Sequence, residues 1–234
     1  MNMITCVENS LNKDNEYCSL FVIEPLNLGH GITLGTALRR ILLSEIRGLS
    51  ISAVQIAGAP HEYADLEYIR ENTIELLLNL KKIVFKSTNS ILKLPIKGTI
   101  KCTGPKIVTA NSLLTNNEDL LILNPSQYIC SITKLEKLNL KLFLEEGQGY
   151  KSAKDFSTKF ATNLNENQGS YIFTDKNYNP IKRVNYKLFL IHDKNGLLKE
   201  SLMIEIHTNG CVTPLKAIKK SAQILLDLFY PLTY

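Results

Sequence analysis

The 234 residues include 27 lysines and arginines against 22 aspartates and glutamates, a net charge of +5, and 44% of them are apolar. That apolar share supports a packed core and excludes a disordered chain, while no apolar run approaches the roughly 20 residues that a membrane helix needs. Five scattered cysteines, Cys6, Cys18, Cys102, Cys130 and Cys211, contain no C-x-x-C pair and support neither a disulfide framework nor a zinc site.

The opening MNMITCVENSLNKDNEY lacks the basic, apolar and small-residue order of a secretory signal. Phe21–Ile23 reads as an apolar strand that Glu24–Pro25 should end, because proline fixes its own φ and biases its predecessor away from helix. Gly29 and Gly31 permit unusual backbone angles, and Thr33 suits an N-cap. Leu34, Ala37, Leu38, Ile41 and Leu42 then recur at i, i+3, i+4, i+7 and i+8, one apolar stripe of a helix of about three turns. Arg39 and Arg40 fall off that stripe. A strand, glycines and a helix also describe a phosphate-cradling loop. Here the spacing is G-x-G-x-x-x-G, which puts Gly35 one place late for that fingerprint and inside the helix.

Leu49–Ile56 alternates as a strand, and Leu66–Leu80 sets Ile69, Thr73, Leu76, Leu77 and Leu80 on one helical face. Short strands follow at Ile83–Lys86, Ile91–Leu94, Gly98–Cys102, Leu120–Leu123, Tyr128–Ile132 and Leu138–Leu144, their alternation implying antiparallel sheet. Lys151–Ser170 is polar and aperiodic, a long surface loop. Arg183–Ile191 and Ser201–His207 flank Asp193-Lys194-Asn195-Gly196, an Asn-Gly hairpin signal. The last helix starts near Pro214 and carries Ile218, Ala222, Leu225, Leu226 and Phe229 on one stripe. Periodicity leaves two partners open for it, the chain's own sheet or a second subunit. The class is α+β, with helical signals towards both ends around a strand-rich middle.

No catalytic constellation is assembled by spacing. His30, His61, His192 and His207 show no metal-ligand spacing, and adjacent Glu145 and Glu146 would point apart in a strand. No metal or cofactor is expected. Lys81–Lys82, Lys182–Arg183 and Lys219–Lys220 are interleaved with acids and read as solvated faces. A stand-alone basic nucleic-acid-binding module is the alternative, one that would bind DNA with steep salt dependence.

The blocks GITLGTALRRILLS, HEYADLEYIRENTIELLLNLKKIVFK, GPKIVTANSLL, LNPSQYICSIT, GQGY, YNPIKRVNY and IEIHTNGCVTPLKAIKKSAQIL run in order from Gly31 to Leu225. Together they resemble the amino-terminal domain of the bacterial-type RNA polymerase alpha subunit. The resemblance implies a discontinuous dimerisation subdomain, residues 1–47 and 179–234, interrupted by a mostly β insert subdomain, residues 48–178. It implies a homodimer whose first and last helices meet their copies through Leu34, Leu38, Ile41, Leu42, Ile218, Ala222, Leu225 and Phe229. It further implies a scaffold without an active site, which holds the catalytic beta and beta-prime subunits and meets DNA only in the assembled enzyme. Arg40 and Leu43 match positions that contact beta, Lys81 matches one that contacts beta-prime, and Arg39 and Arg183 complete the partner-binding set. The family turn has a histidine where Ile32 stands here. The family pattern also continues into a small helical DNA-binding domain, which this sequence, ending at Tyr234, is expected to lack. Abundant lysine, asparagine, isoleucine and leucine fit an AT-rich genome, so the resemblance places the protein in the plastid stroma or, alternatively, a bacterial cytoplasm.

Overall fold

The computed structural model describes residues 4–12, 15–88, 95–154, 171–193 and 196–233. In chain order these form β1 (Ile4–Leu11), β2 (Tyr17–Leu26), α1 (His30–Ser44), β3 (Arg47–Ile56), α2 (Thr73–Lys81), β4 (Phe85–Ser87), β5 (Ile96–Thr103) and β6 (Lys106–Thr109). There follow β7 (Leu113–Thr115), β8 (Leu120–Ile122), β9 (Tyr128–Ile132), β10 (Lys137–Gln148), β11 (Tyr150–Lys151), β12 (Ile172–Phe173) and β13 (Lys176–Asn177). The last elements are β14 (Ile181–His192), β15 (Leu198–Thr208) and α3 (Pro214–Phe229). The chain divides into two compact units, one made of Met1–Arg47 and Asn179–Tyr234, the other of Gly48–Tyr178.

In the first unit an antiparallel sheet of order β1-β2-β15-β14 carries α1 and α3 on one face. Phe21, Ile23, Leu38, Leu42, Leu202, Ile204, Ala217 and Ile218 make its core. The strand does not end at Glu24–Pro25 as expected; β2 continues to Leu26. Ile23 pairs with Leu202 and Leu26 with Glu200, so three steps on β2 face two on β15. Proline is tolerated at such a bulge because no ladder hydrogen bond is asked of it.

The expected Thr33 cap is also replaced. The helix begins at His30 behind Gly29, whose φ of 83° is the left-handed region open to glycine. Its free N–H groups are met from β15: Gly29 N–H donates to Glu200 Oε1 (2.9 Å) and Gly31 N–H to Glu200 Oε2 (2.8 Å). Thr33 Oγ1 instead donates back to the Gly29 carbonyl at 3.2 Å. These two backbone hydrogen bonds hold the Glu200 carboxyl below its ordinary pKa, as expected for an anion at a helix N-terminus. The third glycine is there for packing. A Cβ on Gly35 would lie 2.8 Å from Tyr186 Cδ2 and 3.1 Å from Leu202 Cδ1, so the helix rests on the sheet where no side chain fits.

The second unit is built on a sheet of order β12-β3-β10-β5-β7 with small two-stranded ribbons beside it. Its core includes Val54, Leu76, Leu80, Ile100, Ile129, Leu138, Leu140 and Leu142. The helix expected from Leu66 starts only at Thr73, where Asn72 caps it by accepting from Glu75 N–H at 2.8 Å. Upstream the chain is pinned in turns and bends: Ile69 N–H donates to the Leu66 carbonyl at 2.9 Å, Ile69 bridges Ile132, and Arg70 N–H donates to the Ser131 carbonyl at 3.1 Å. Glu71 accepts from Ser131 N–H at 2.8 Å and from the Tyr128 hydroxyl; burial and that carboxylate push the Tyr128 phenol up to about 12. The strand expected at Ile91–Leu94 lies outside the described residues, as do residues 155–170 of the expected loop and Lys194–Asn195 of the hairpin turn.

Two expectations follow for the first unit. Gly35→Ala gains about 1 kcal/mol of helix propensity but forces overpacking of about 1–3 kcal/mol against a fully buried Leu202, so chemical denaturation should show net destabilisation. Glu200→Gln should lower the thermal midpoint near neutral pH. Because the folded pKa of Glu200 lies below the ordinary 4.5, its contribution is present above that value and is lost as pH falls through the folded pKa. The gap between the two proteins should therefore narrow on acidification.

Candidate functional site

Arg39 and Arg40 project from the exposed side of α1, and neither side chain has an ion-pair partner among the described residues. Leu43, one turn on, is half-buried and packs against the core of the first unit. Asn179 fixes the end of this helix, its Nδ2 donating to the Leu43 carbonyl at 2.6 Å while its Oδ1 accepts from Ile181 N–H at 3.0 Å. Arg183 is exposed on β14, directly across from His207. Lys81 belongs to the second unit, in the last turn of α2, with Asp175 at 3.8 Å. The partner-binding set thus gathers Arg39, Arg40 and Leu43 on one helix and leaves Arg183 and Lys81 on other elements.

The eight residues of the expected dimer stripe separate by depth. Leu38, Ile41, Leu42 and Ile218 are buried within the chain, Leu34 and Leu225 are half-buried, and Ala222 and Phe229 are exposed. The inward side of α3 is Pro214, Ala217, Ile218 and Ser221, not the Ala222 register. Beyond it the apolar surface grows: Leu226 is 65% exposed, Leu228 62%, Phe229 56%, Tyr230 63% and Leu232 78%. Five large apolar side chains within seven residues are thus left exposed at this end of the chain, and exposed apolar surface of this extent marks protein contacts. Leu228, Tyr230 and Leu232 lay outside the periodic stripe, and only their exposure marks them.

Strand register brings together cations that look dispersed in the sequence. On β5 and β10, Lys141 faces Thr99, Asn139 faces Lys101, Phe143 faces Lys97 and Lys137 faces Thr103. All four lysines are exposed and none has an ion pair among the described residues. They form a zigzag row, one lysine about every 7 Å along the strands. Glu145 is half-buried and forms an ion pair with the buried Lys176 at 3.0 Å, while its neighbour Glu146 is exposed. Burial lowers the Lys176 pKa and the Glu145 carboxylate opposes that shift, so this carboxylate is engaged in holding the fold. The five cysteines are free thiols. No helix among the described residues is long and apolar enough to cross a membrane.

A family model described as the RNA polymerase Rpb3/RpoA insert domain matches residues 54–179, nearly the whole of the second unit. The DNA-directed RNA polymerase subunit alpha of Rhodomonas salina is 38% identical over 229 residues, spanning 98% of this chain and 69% of that relative. The chain belongs to the DNA-directed RNA polymerase alpha-subunit family. The alpha subunit of Guillardia theta is 40% identical over 230 residues (98% and 69%), and that of Trichormus variabilis 33% over 229 (98% and 70%). Alpha subunits belong to a multisubunit nucleotidyltransferase, and the relatives include plastid-encoded algal and cyanobacterial ones. The α+β architecture and the insert domain agree with the alpha amino-terminal fold.

The lysine row yields a direct expectation. Lys101→Gln combined with Lys141→Gln should elute from a heparin column at distinctly lower salt than the unchanged chain, because two phosphate-like contacts are removed. Two replacements on the same sheet but off this face should not.

Proposed function

We propose that the chain is the non-catalytic assembly subunit of its polymerase: two copies dimerise, and the dimer holds the beta and beta-prime subunits that carry the chemistry. In this reading the first unit is the dimerisation subdomain and the second the insert subdomain. The observation that carries it is the apolar end of α3 and the turn after it, where five exposed side chains from Leu226 to Leu232 would be covered by a second copy. With Phe229 among these five, Ala222, Leu225 and Leu34 supply further parts of that face. Leu38, Ile41, Leu42 and Ile218 act one layer beneath, holding α1 and α3 on the sheet so that the outer residues present one surface.

Arg40, with Arg39 and Leu43, is assigned to beta. An arginine fork that makes two hydrogen bonds beside a half-buried leucine is the pairing that interface anchors favour. Lys81 is assigned to beta-prime and Arg183 completes the set. DNA is met through the assembled enzyme. The plastid stroma is the proposed compartment, supported by the algal relatives and the AT-rich residue usage.

Co-expression with a tagged beta subunit from the same source tests this. A complex of two copies and one beta is expected, with Arg40→Ala losing beta but keeping the dimer. Phe229→Ser with Leu226→Ser should yield monomers by light scattering. A chain that stays monomeric and ignores beta would overturn the reading and favour the nucleic-acid-binding module.

A further inference from the structure

On the sheet face opposite α1, the register sets Cys18 of β2 directly across from His207 of β15, with Glu205 two residues along the same strand and on the same side. Glu205 Oε1 lies 3.0 Å from His207 Nε2, and Cys18 Sγ lies 3.6 Å from that same nitrogen. The three donor atoms all fall within 4.8 Å of one another, and each residue is half-buried, so solvent reaches the cluster. We propose that these three side chains bind a zinc ion.

The argument starts from the hydrogen bonds that the cluster cannot all make. A single imidazole nitrogen faces both a carboxylate oxygen and a thiol sulfur. As an N–H it can donate well to one of them; as a bare lone pair it can accept from the thiol and then offers nothing to the carboxylate. A cation at the centre satisfies all three together. Zinc bonds of about 2.0–2.3 Å at tetrahedral angles set neighbouring donors about 3.3–3.6 Å apart; sulfur and nitrogen already stand at 3.6 Å, and the carboxylate oxygen, at 3.0 Å from the nitrogen, would move outward by a few tenths of an ångström to take its place. Thiolate, imidazole and carboxylate together suit a borderline-soft ion and not calcium or magnesium, which take oxygen ligands. Binding displaces the Cys18 thiol proton to solvent, and a dication against one thiolate and one carboxylate leaves the site neutral. The fourth position is open to water.

The surroundings support the ligands. Asn185 Nδ2 donates to Glu205 Oε2 at 3.0 Å, which holds the carboxylate with Oε1 turned towards the imidazole. Such an outer partner orients a ligating carboxylate. The ion would tie together strands whose ligands are 189 residues apart, clipping the amino-terminal and carboxy-terminal segments of the first unit.

Cobalt is the probe. Added to the chain under reducing conditions, one equivalent should give the intense visible bands of a tetrahedral thiolate site, and zinc should bleach them. Zinc at about a hundredfold excess over its dissociation constant should raise the thermal midpoint by roughly 5–10 °C. Cys18→Ser and His207→Ala should each abolish the bands, Asn185→Ala should weaken binding about 10–100-fold, and Cys211→Ser should change nothing. Circular dichroism checks that the variants fold. A featureless cobalt spectrum with the unchanged chain overturns the proposal without any variant, as do bands that survive in folded Cys18→Ser and His207→Ala.

Discussion

The close seating of α1 on its sheet is the constraint on which the rest of the first unit depends. A helix can come this near only where side chains are missing, and Gly35 supplies the gap opposite Tyr186 and Leu202. It must also start where its unpaired N–H groups find an acceptor, and the Glu200 carboxylate is that acceptor for Gly29 and Gly31. With one end capped and the middle fitted, the rotation of the helix is fixed. Leu38 and Leu42 then point into the core, and Arg39 and Arg40 have no direction left but outward.

The same seating explains why an interruption of some 130 residues is tolerated. Each unit closes its own core, one around Phe21, Leu42 and Ile204, the other around Leu76, Ile100 and Leu140. The chain leaves the first unit after Arg47 and re-enters it at Asn179, whose side chain grips the Leu43 carbonyl on one side and the Ile181 amide on the other. That single asparagine joins the returning strand to the end of α1. The β14–β15 hairpin that follows pairs with β2 through β15, so that residues far apart in sequence complete one sheet.

Much of this framework was legible from periodicity. The stripe from Leu34 to Leu42 names the inward side of α1, and Tyr128–Ile132 coincides with β9. The misreadings share one cause: a local signal was outweighed by a partner distant in sequence. Pro25 looked like a strand end because the bulge that accommodates it is set by Glu200 and Leu202 on another strand. Thr33 looked like a cap because the true cap comes from β15. Leu66 to Asn72 had a helical apolar spacing, yet Glu71, Arg70 and Ile69 are tied to β9 instead. Neither the lysine row nor the Cys18, Glu205 and His207 cluster has a sequence signal, since both exist only after two strands have chosen their register.

The sequence by itself determined the class of fold, the two amphipathic helices and the family, because each of these is written in spacing and in order along the chain. The tertiary structure alone decided which apolar residues of those helices are core and which are surface. It also decided what caps α1, why Gly35 is needed, and which charged and metal-ligating groups share a face. The reason is physical. Periodicity fixes the direction of a side chain relative to its own element, whereas burial, capping and clustering depend on what another part of the chain places against it.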